Sequence, residues 1–440
     1  MSVLTAAVDV APRASGGKQR SMASVVFAGS IGTVIEWYDF LIYGTAAALV
    51  FNSLFFPNVD PLTGTLAALS AYAAGFFARP VGGILFGHFG DRIGRKTMLM
   101  ITMAVMGLGT FCVGLLPTYH QIGIWAPILL ITLRIVQGIG LGGEWGGASL
   151  VVLEHAPAAR RGFYGSLVQV GFPLGMLTST GAFALAATLP QASFMTWGWR
   201  VPFLLSIALL GVGWFVRRRV AETPVFEDIK RRGDIAPSPF LETILRNPRS
   251  FLVAIGLKIS EVSWVYILTI FAVVYATTKL GVSKQLMLDA IIVAALVAVA
   301  AIPLFGWLSD IFGRRALYFA GTLFTMGFAF PLFWLLDSKN PTIIILTMTV
   351  ALSLGQGTMF GLQSTYFPEL FGTRVRYTGA SLGFQLAAAI GGGLTPLFAT
   401  SLANYTGGTA GVSLMLILLA AITFIAALCA PETKGRSLHR

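Results

Sequence analysis

The chain has 440 residues, 56% of them hydrophobic and only 11% charged, with a formal net charge of +12 and a mean hydropathy of +0.79. An average soluble domain carries about 25% charged residues, so this composition excludes an ordinary water-soluble enzyme and suits a lipid solvent. The basic excess falls in short polar segments between apolar runs, which argues against nucleic acid as its partner.

The first 22 residues make a polar tail without the basic start, apolar run and small-residue cleavage site of a secretory signal. The apolar run behind it is therefore expected to stay as a membrane helix. Runs of about 20 apolar residues predict six spans in the first half, near 23–51, 64–90, 97–117, 123–153, 162–188 and 199–216. Six more fall near 251–277, 286–312, 316–336, 341–366, 377–402 and 408–430. They must be helices, because a lone strand in lipid leaves backbone groups unpaired. The expected fold class is an all-α membrane protein, with twelve transmembrane helices in two pseudo-symmetric six-helix bundles. Its divisions are a tail (1–22), a first bundle (23–216), a basic, proline-containing linker (217–250), a second bundle (251–430) and a short tail (431–440). Glycine, at 50 residues, suits helices packed through small side chains. Cys112 and Cys429 both lie in apolar runs and suggest neither a disulfide nor a metal site.

A ten-residue cassette closes the second span: Gly87-His-Phe-Gly-Asp91-Arg92-Ile-Gly94-Arg95-Lys96. It returns after the eighth as Gly306-Trp-Leu-Ser-Asp310-Ile-Phe-Gly313-Arg314-Arg315, at a constant offset of 219. Such a repeat means two homologous halves, and in so apolar a chain it points to a carrier built from two related bundles. A weaker echo is Glu222-Thr-Pro after the sixth span and Pro431-Glu432-Thr433-Lys434-Gly435 after the twelfth. Lys and Arg set the orientation. With both termini inside, cytoplasmic segments hold 23 of the 30, and the outer loops only Lys279, Lys284 and Lys339.

Gly94 and Gly313 allow a tight turn between helices. Asp91 lies at a helix end, where a carboxylate can meet backbone N–H groups. Gly87, Asp91, Arg92, Arg95, Asp310 and Arg314 are expected to form a cytoplasmic latch that holds the outward-open state and breaks for inward opening. Glu154 joins it, with Glu369 and Arg374 as its counterpart. Positive-inside bias alone explains the bases but not the spacing of glycine and aspartate.

Twelve spans, the duplicated cassette and a central basic loop resemble the major facilitator superfamily. Glu36-Trp-Tyr-Asp39-Phe, Phe77-Ala-Arg79-Pro80, and Arg134-x-x-Gln137-Gly-x-Gly-x-Gly-Gly143-Glu144-Trp145-Gly-Gly are similar to its metabolite:proton symporter branch. So are Trp197-Gly-Trp199-Arg200-x-Pro202-Phe203 and Pro368-Glu369-Leu-Phe-Gly-Thr-Arg374-Val-Arg376-Tyr-Thr-Gly-Ala-Ser. The resemblance implies a multi-pass inner-membrane carrier working as a monomer by alternating access. It leaves open shikimate, 2-oxoglutarate, citrate, or the zwitterions proline and betaine, since a fold does not fix its cargo.

Charges inside the spans are the site candidates, because an ion at the bilayer centre costs several kcal/mol by most estimates. Glu36 and Asp39 are three apart and share a helix face with Tyr43. Either of them, opposed by Arg134, is expected to couple protons, since a carboxylate's pKa rises on desolvation and falls beside a cation. Arg79 and Lys258 are the expected receptors for a substrate carboxylate, Arg because its fork donates two parallel bonds. Glu144 and Glu261 hold those cations when the site is empty. Tyr43, Gln137, Trp264, Tyr266, Gln356 and Gln385 supply neutral contacts. No cofactor, metal or nucleotide site is expected, as the glycine clusters follow no strand.

The lead expectation is a proton symporter for a small organic acid anion, in contact with membrane lipid. Structural roles compete for several residues: Lys258 and Glu261 can neutralise each other, Arg134 can be a packing residue, and Trp264 and Tyr266 can be belt aromatics. A zwitterionic osmolyte carrier is the alternative. An efflux antiporter for apolar cations fits Arg79 and Lys258 poorly, and a membrane scaffold or sensor does not explain the cassettes.

Overall fold

The computed structural model describes residues 22–93, 95–142, 145–218, 243–245, 247–371 and 376–436. Among them there are only helices and short connections. Helix α1 (Met22–Ala46) runs through a π-helical turn (Ala47–Phe51) into Asn52–Phe55, bending by 43°. Then come α2 (Pro61–Ile93), α3 (Arg95–Leu115) and α4 (Trp125–Gly142), with Trp145–His155 following α4. The first half ends with α5 (Ala158–Ala187) and α6 (Gly198–Phe215). The second contains α7 (Pro248–Thr278), α8 (Lys284–Phe312), α9 (Arg314–Asp337), α10 (Pro341–Glu369), α11 (Thr378–Thr406) and α12 (Ala410–Cys429). Among the described residues ten helices are each long and apolar enough to cross a membrane, α1 with its bent extension makes an eleventh, and the shorter Met100–Leu115 lies at the third expected span.

Local chemistry sets several boundaries. The Ser283 hydroxyl caps α8 by accepting from Leu286 N–H at 3.2 Å. Asn340 caps α10 through Thr342 and Ile343, with Pro341 at the first helical position. Between α8 and α9 the chain turns at Gly313, whose φ of 96° favours glycine.

Large apolar side chains such as Leu296, Leu304, Trp334, Leu418 and Ile425 remain exposed on the outer helix faces. In water such a surface marks aggregation, whereas in lipid it is the required one. The main core cluster runs through both halves, joining Phe40 and Tyr72 to Tyr266 and Phe360. A second packs around Trp145, Phe367 and Phe384, with Trp145 stacked on Phe384 at 4.1 Å. Helix α5 lies along α8, and α2 crosses the π-helical turn of α11 at Ala388–Leu394. The plane where the halves meet is thus built from α1, α2, α5, α7, α8 and α11.

Candidate functional site

Glycines place the first half of the site. Gly75 on α2 faces Gly138 on α4, and Gly142 faces the Arg79 carbonyl, so closely that a Cβ on Gly138 or Gly142 would overlap backbone. The two helices therefore touch main chain to main chain, which brings Arg79 of α2 and Arg134 of α4 to one ring on α1. The Arg79 guanidinium carbon is 3.9 Å from the Phe40 ring centroid and 4.3 Å from that of Phe76. The Arg134 carbon is 4.2 Å from Phe40, 4.4 Å from Tyr43 and 5.0 Å from Tyr72. Tyr266 of α7 closes the box, with its ring centroid 5.2 Å from that of Phe76.

Both guanidiniums are almost completely buried, at 2% and 1% exposure. Arg134 Nη1 donates to Gln137 Oε1 at 3.4 Å. Among the described residues, Nε and Nη2 of both arginines have no hydrogen-bond acceptor. Buried charged donors without acceptors are costly. Glu36 and Asp39 are buried on the same helix as Phe40, and Glu36 is within electrostatic reach of Arg79.

The second half answers with a closed triad. Lys258 Nζ donates to the Glu261 carboxylate and, at 2.7 Å, to Gln363 Oε1. Gln363 Nε2 returns a bond of 2.9 Å to Glu261, and Gln356 Nε2 adds one of 3.3 Å. Lys258 also sits 4.1 Å from the Phe384 ring and 4.9 Å from that of Phe360. Each charge here is satisfied by its neighbours, so Lys258 differs from Arg79, with which it shares electrostatic reach.

Other predicted contacts are committed to packing. Gln137 Nε2 donates to Thr110 Oγ1 at 2.7 Å, and Trp264 Nε1 donates to the Ala351 carbonyl at 2.8 Å. Gln385 reaches across to the Leu141 carbonyl at 3.5 Å. Tyr43 and Tyr266 line the arginine box. Glu144 lies outside the described residues, as do the side chains of Asp91, Arg92, Arg95 and Glu154 and the surroundings of Gly87. Beside Tyr72, a cavity of about 10 Å³ is lined by Leu41, Gly44, Met176 and Thr180, room for about one water. The centre is closed around its own side chains.

Sequence reasoning missed Phe40, Tyr72, Phe76 and Gln363. A signal for Gln363 was present: it stands 219 residues after Glu144, as Gln356 does after Gln137 and Lys258 after Asp39.

The cassette face is shut across the halves. Asp310 accepts backbone N–H bonds from Gly162 and Phe163 of α5, each 2.9 Å long. Arg314 pairs with Asp310 at 2.8 Å and with Glu369 at 3.5 Å. Glu369, expected beside Arg374, thus meets Arg314; Arg374 is outside the described residues. The tail joins in, as Glu432 accepts from Arg314 N–H and Arg315 N–H at 3.0 Å each. Burial raises the Glu432 pKa, but these bonds and those from Thr433 and Lys434 outweigh it and hold the carboxyl below the usual glutamate range. Arg161 donates to the Arg436 carbonyl at 2.9 Å. On the other face Lys284 Nζ donates to the Leu49 carbonyl at 3.3 Å.

Two related bundles of apolar helices, closed over buried charges of both signs, define a membrane transporter. A profile of the Major Facilitator Superfamily matches residues 30–396, and the chain belongs to that family. It is 44% identical over 381 residues to the shikimate transporter of Escherichia coli (strain K12), covering 86% of this chain and 87% of that one. Similarity to the inner membrane metabolite transport protein YhjE of the same strain is 40% over 425 residues, covering 95% and 96%. The proline/betaine transporter of that strain is 34% identical over 427 residues, covering 95% and 85%. These are transporters of the branch that the motifs indicate, and the chain is one of them rather than an enzyme. In fold it resembles the proton:xylose symporter XylE bound to 6-bromo-6-deoxy-D-glucose, with a TM-score of 0.73 at 19% identity, over 95% of this chain and 98% of that one.

Proposed function

We propose that this transporter imports a small organic acid anion together with a proton. The observation that carries this reading is the buried pair Arg79 and Arg134, whose Nε and Nη2 donors lack acceptors among the described residues. An anion supplies what those donors need, and guanidinium forks suit a carboxylate better than a lone ammonium does. The shikimate transporter among the relatives favours a hydroxylated monocarboxylate, and the aromatic box offers faces for its ring.

Glu36 and Asp39 are the coupling acids. Protonation of a carboxylate near Arg79 removes its claim on that cation, and the arriving substrate takes its place. Loss of the substrate restores the charge and expels the proton. The units that rock are residues 23–216 and 251–430. The cassette face and both termini are cytoplasmic in a bacterial inner membrane, supported by the Lys and Arg distribution, and one chain suffices.

A zwitterionic osmolyte is the second reading, favoured by the proline/betaine relative and by aromatic rings that suit a quaternary ammonium. The two guanidiniums already fill that box, which is why the anion comes first.

Liposome uptake of labelled shikimate, 2-oxoglutarate, citrate and betaine, with and without an inward proton gradient, tests the assignment. Gradient-driven accumulation of one acid, abolished in Arg79→Ala, is expected. Betaine uptake alone would replace the anion reading. Glu36→Gln or Asp39→Asn should spare exchange and lose accumulation; if both still concentrate substrate, the proton is carried elsewhere.

A further inference from the structure

We propose that the Phe40 ring occupies the seat of the substrate's carboxylate, as a plug that the substrate displaces and that returns when the carrier is empty. This rests on the anion reading above. The ring centroid is 3.9 Å from the Arg79 guanidinium carbon and 4.2 Å from that of Arg134. A carboxylate carbon held by a guanidinium fork lies about 4 Å from the central carbon of that fork. One carboxylate at the position of the ring centre therefore reaches both arginines at salt-bridge distance.

The ring is a partial substitute for such an anion. Its π face attracts the cations, yet it accepts no conventional hydrogen bond, and Nε and Nη2 of both arginines stay without acceptors. Two like charges no more than about 8 Å apart in a dehydrated site gain in the ring a neutral partner between them, beside the Glu36 carboxylate within electrostatic reach of Arg79, whenever the substrate is absent. A neutral plug also keeps water and stray ions from the pair.

The plug is wired to both halves. Phe40 packs edge-on to Phe76 at 4.6 Å, against Tyr72 at 5.1 Å, and against Tyr266 of α7 at 6.3 Å. Driving the ring from its seat disturbs the contact between α1 and α7, so filling the seat is felt across the boundary between bundles. The seat takes one carboxylate; among the described residues a second carboxylate finds no second empty cation, because Lys258 is held by Glu261 and Gln363. The structure thus assigns Phe40 a specificity role for monocarboxylates.

Phe40→Leu keeps an apolar side chain and removes the π face, and Phe40→Met should behave alike, which guards against a packing effect of one substitution. Acetate, the probe, is titrated calorimetrically into the purified full-length protein. Shikimate transport is measured in liposomes, both as net uptake and as exchange. Acetate should bind either variant roughly tenfold more tightly than the parent protein. Net uptake should fall about tenfold while exchange persists, because exchange bypasses the empty, closed carrier. Unchanged or weaker acetate binding, or equal loss of uptake and exchange, overturns the plug. If acetate binding needs both arginines and ignores Phe40, the plug alone fails. If acetate binds Arg79→Ala as well as the parent, or binds neither, the anion reading falls with it.

Discussion

Replacing Asp310 by asparagine should open the cassette face. Its carboxylate accepts two N–H bonds of 2.9 Å from α5 and pairs with Arg314 at 2.8 Å. Both side chains are largely shielded, at 7% and 1% exposure, so solvent screens the pair little. Asparagine keeps one acceptor oxygen and loses the charge. Removing charge assistance from two hydrogen bonds costs about 1 kcal/mol each, whereas the pair with Arg314 lies within the second half and survives opening. The closed face should lose about 2 kcal/mol, which shifts the balance of states roughly thirtyfold. Spin labels at the exposed Ala159 and Phe312, with Cys112 and Cys429 replaced by serine, report the separation of the halves by pulsed electron resonance. A new population at longer distance is expected. An unchanged distribution would refute the assignment of Asp310 as a bond between halves.

Lys258→Met and Glu261→Leu should each lower thermal stability, whereas the double variant should recover most of it, because it removes a self-neutralised pair without stranding a charge; a double variant as impaired as either single one would contradict this. Gly313→Ala should lower the melting temperature, since φ is 96° and the new Cβ would sit 2.6 Å from Glu432 Oε2; the cost is about 1–3 kcal/mol, and an unaltered melting curve would count against it. Glu432 is held below the usual glutamate range, so its grip on Arg314 and Arg315 is complete above that range and lost as pH falls through its own lower pKa. Tail protection from hydrogen exchange should therefore drop only in acid, and in Glu432→Gln at every pH.

The membrane helices were legible because most are long apolar runs, and a segment in lipid has few other structures open to it; the third expected span is a shorter apolar helix, Met100–Leu115. The two halves were legible because the cassettes repeat at 219 residues. The division of labour among the charges was harder to see. Sequence spacing put Lys258 and Arg79 in one category, yet Lys258 is matched by Gln363, a single amide in an apolar run marked only by its 219-residue offset from Glu144. Phe40 is one of 33 phenylalanines, and nothing in its neighbours separates a ring between two arginines from a ring facing lipid. That distinction arises from the close approach of α2 and α4, which is set by glycines whose partners are about 60 residues distant. The tail was visible only as an echo of the repeat. Its role at the start of α9 depends on a carboxylate meeting two backbone N–H groups over a hundred positions away.

Six buried charged side chains lie in the central part of the described spans: Glu36, Asp39 and Glu261 against Arg79, Arg134 and Lys258. With all six ionised, their formal sum is zero. Among the described residues, reorientation of the empty carrier then moves no net buried charge through the electric field, and loading with a proton and a monoanion adds none. Each unbalanced charge would otherwise exchange about 2.3 kcal/mol with every 100 mV of membrane potential. On the symport reading, this protein draws on the pH difference alone. A voltage clamped by potassium and valinomycin should leave its uptake rate unchanged, and a rate that follows the voltage would show that one of the six is not ionised or that a further charge, such as Glu144, moves with them.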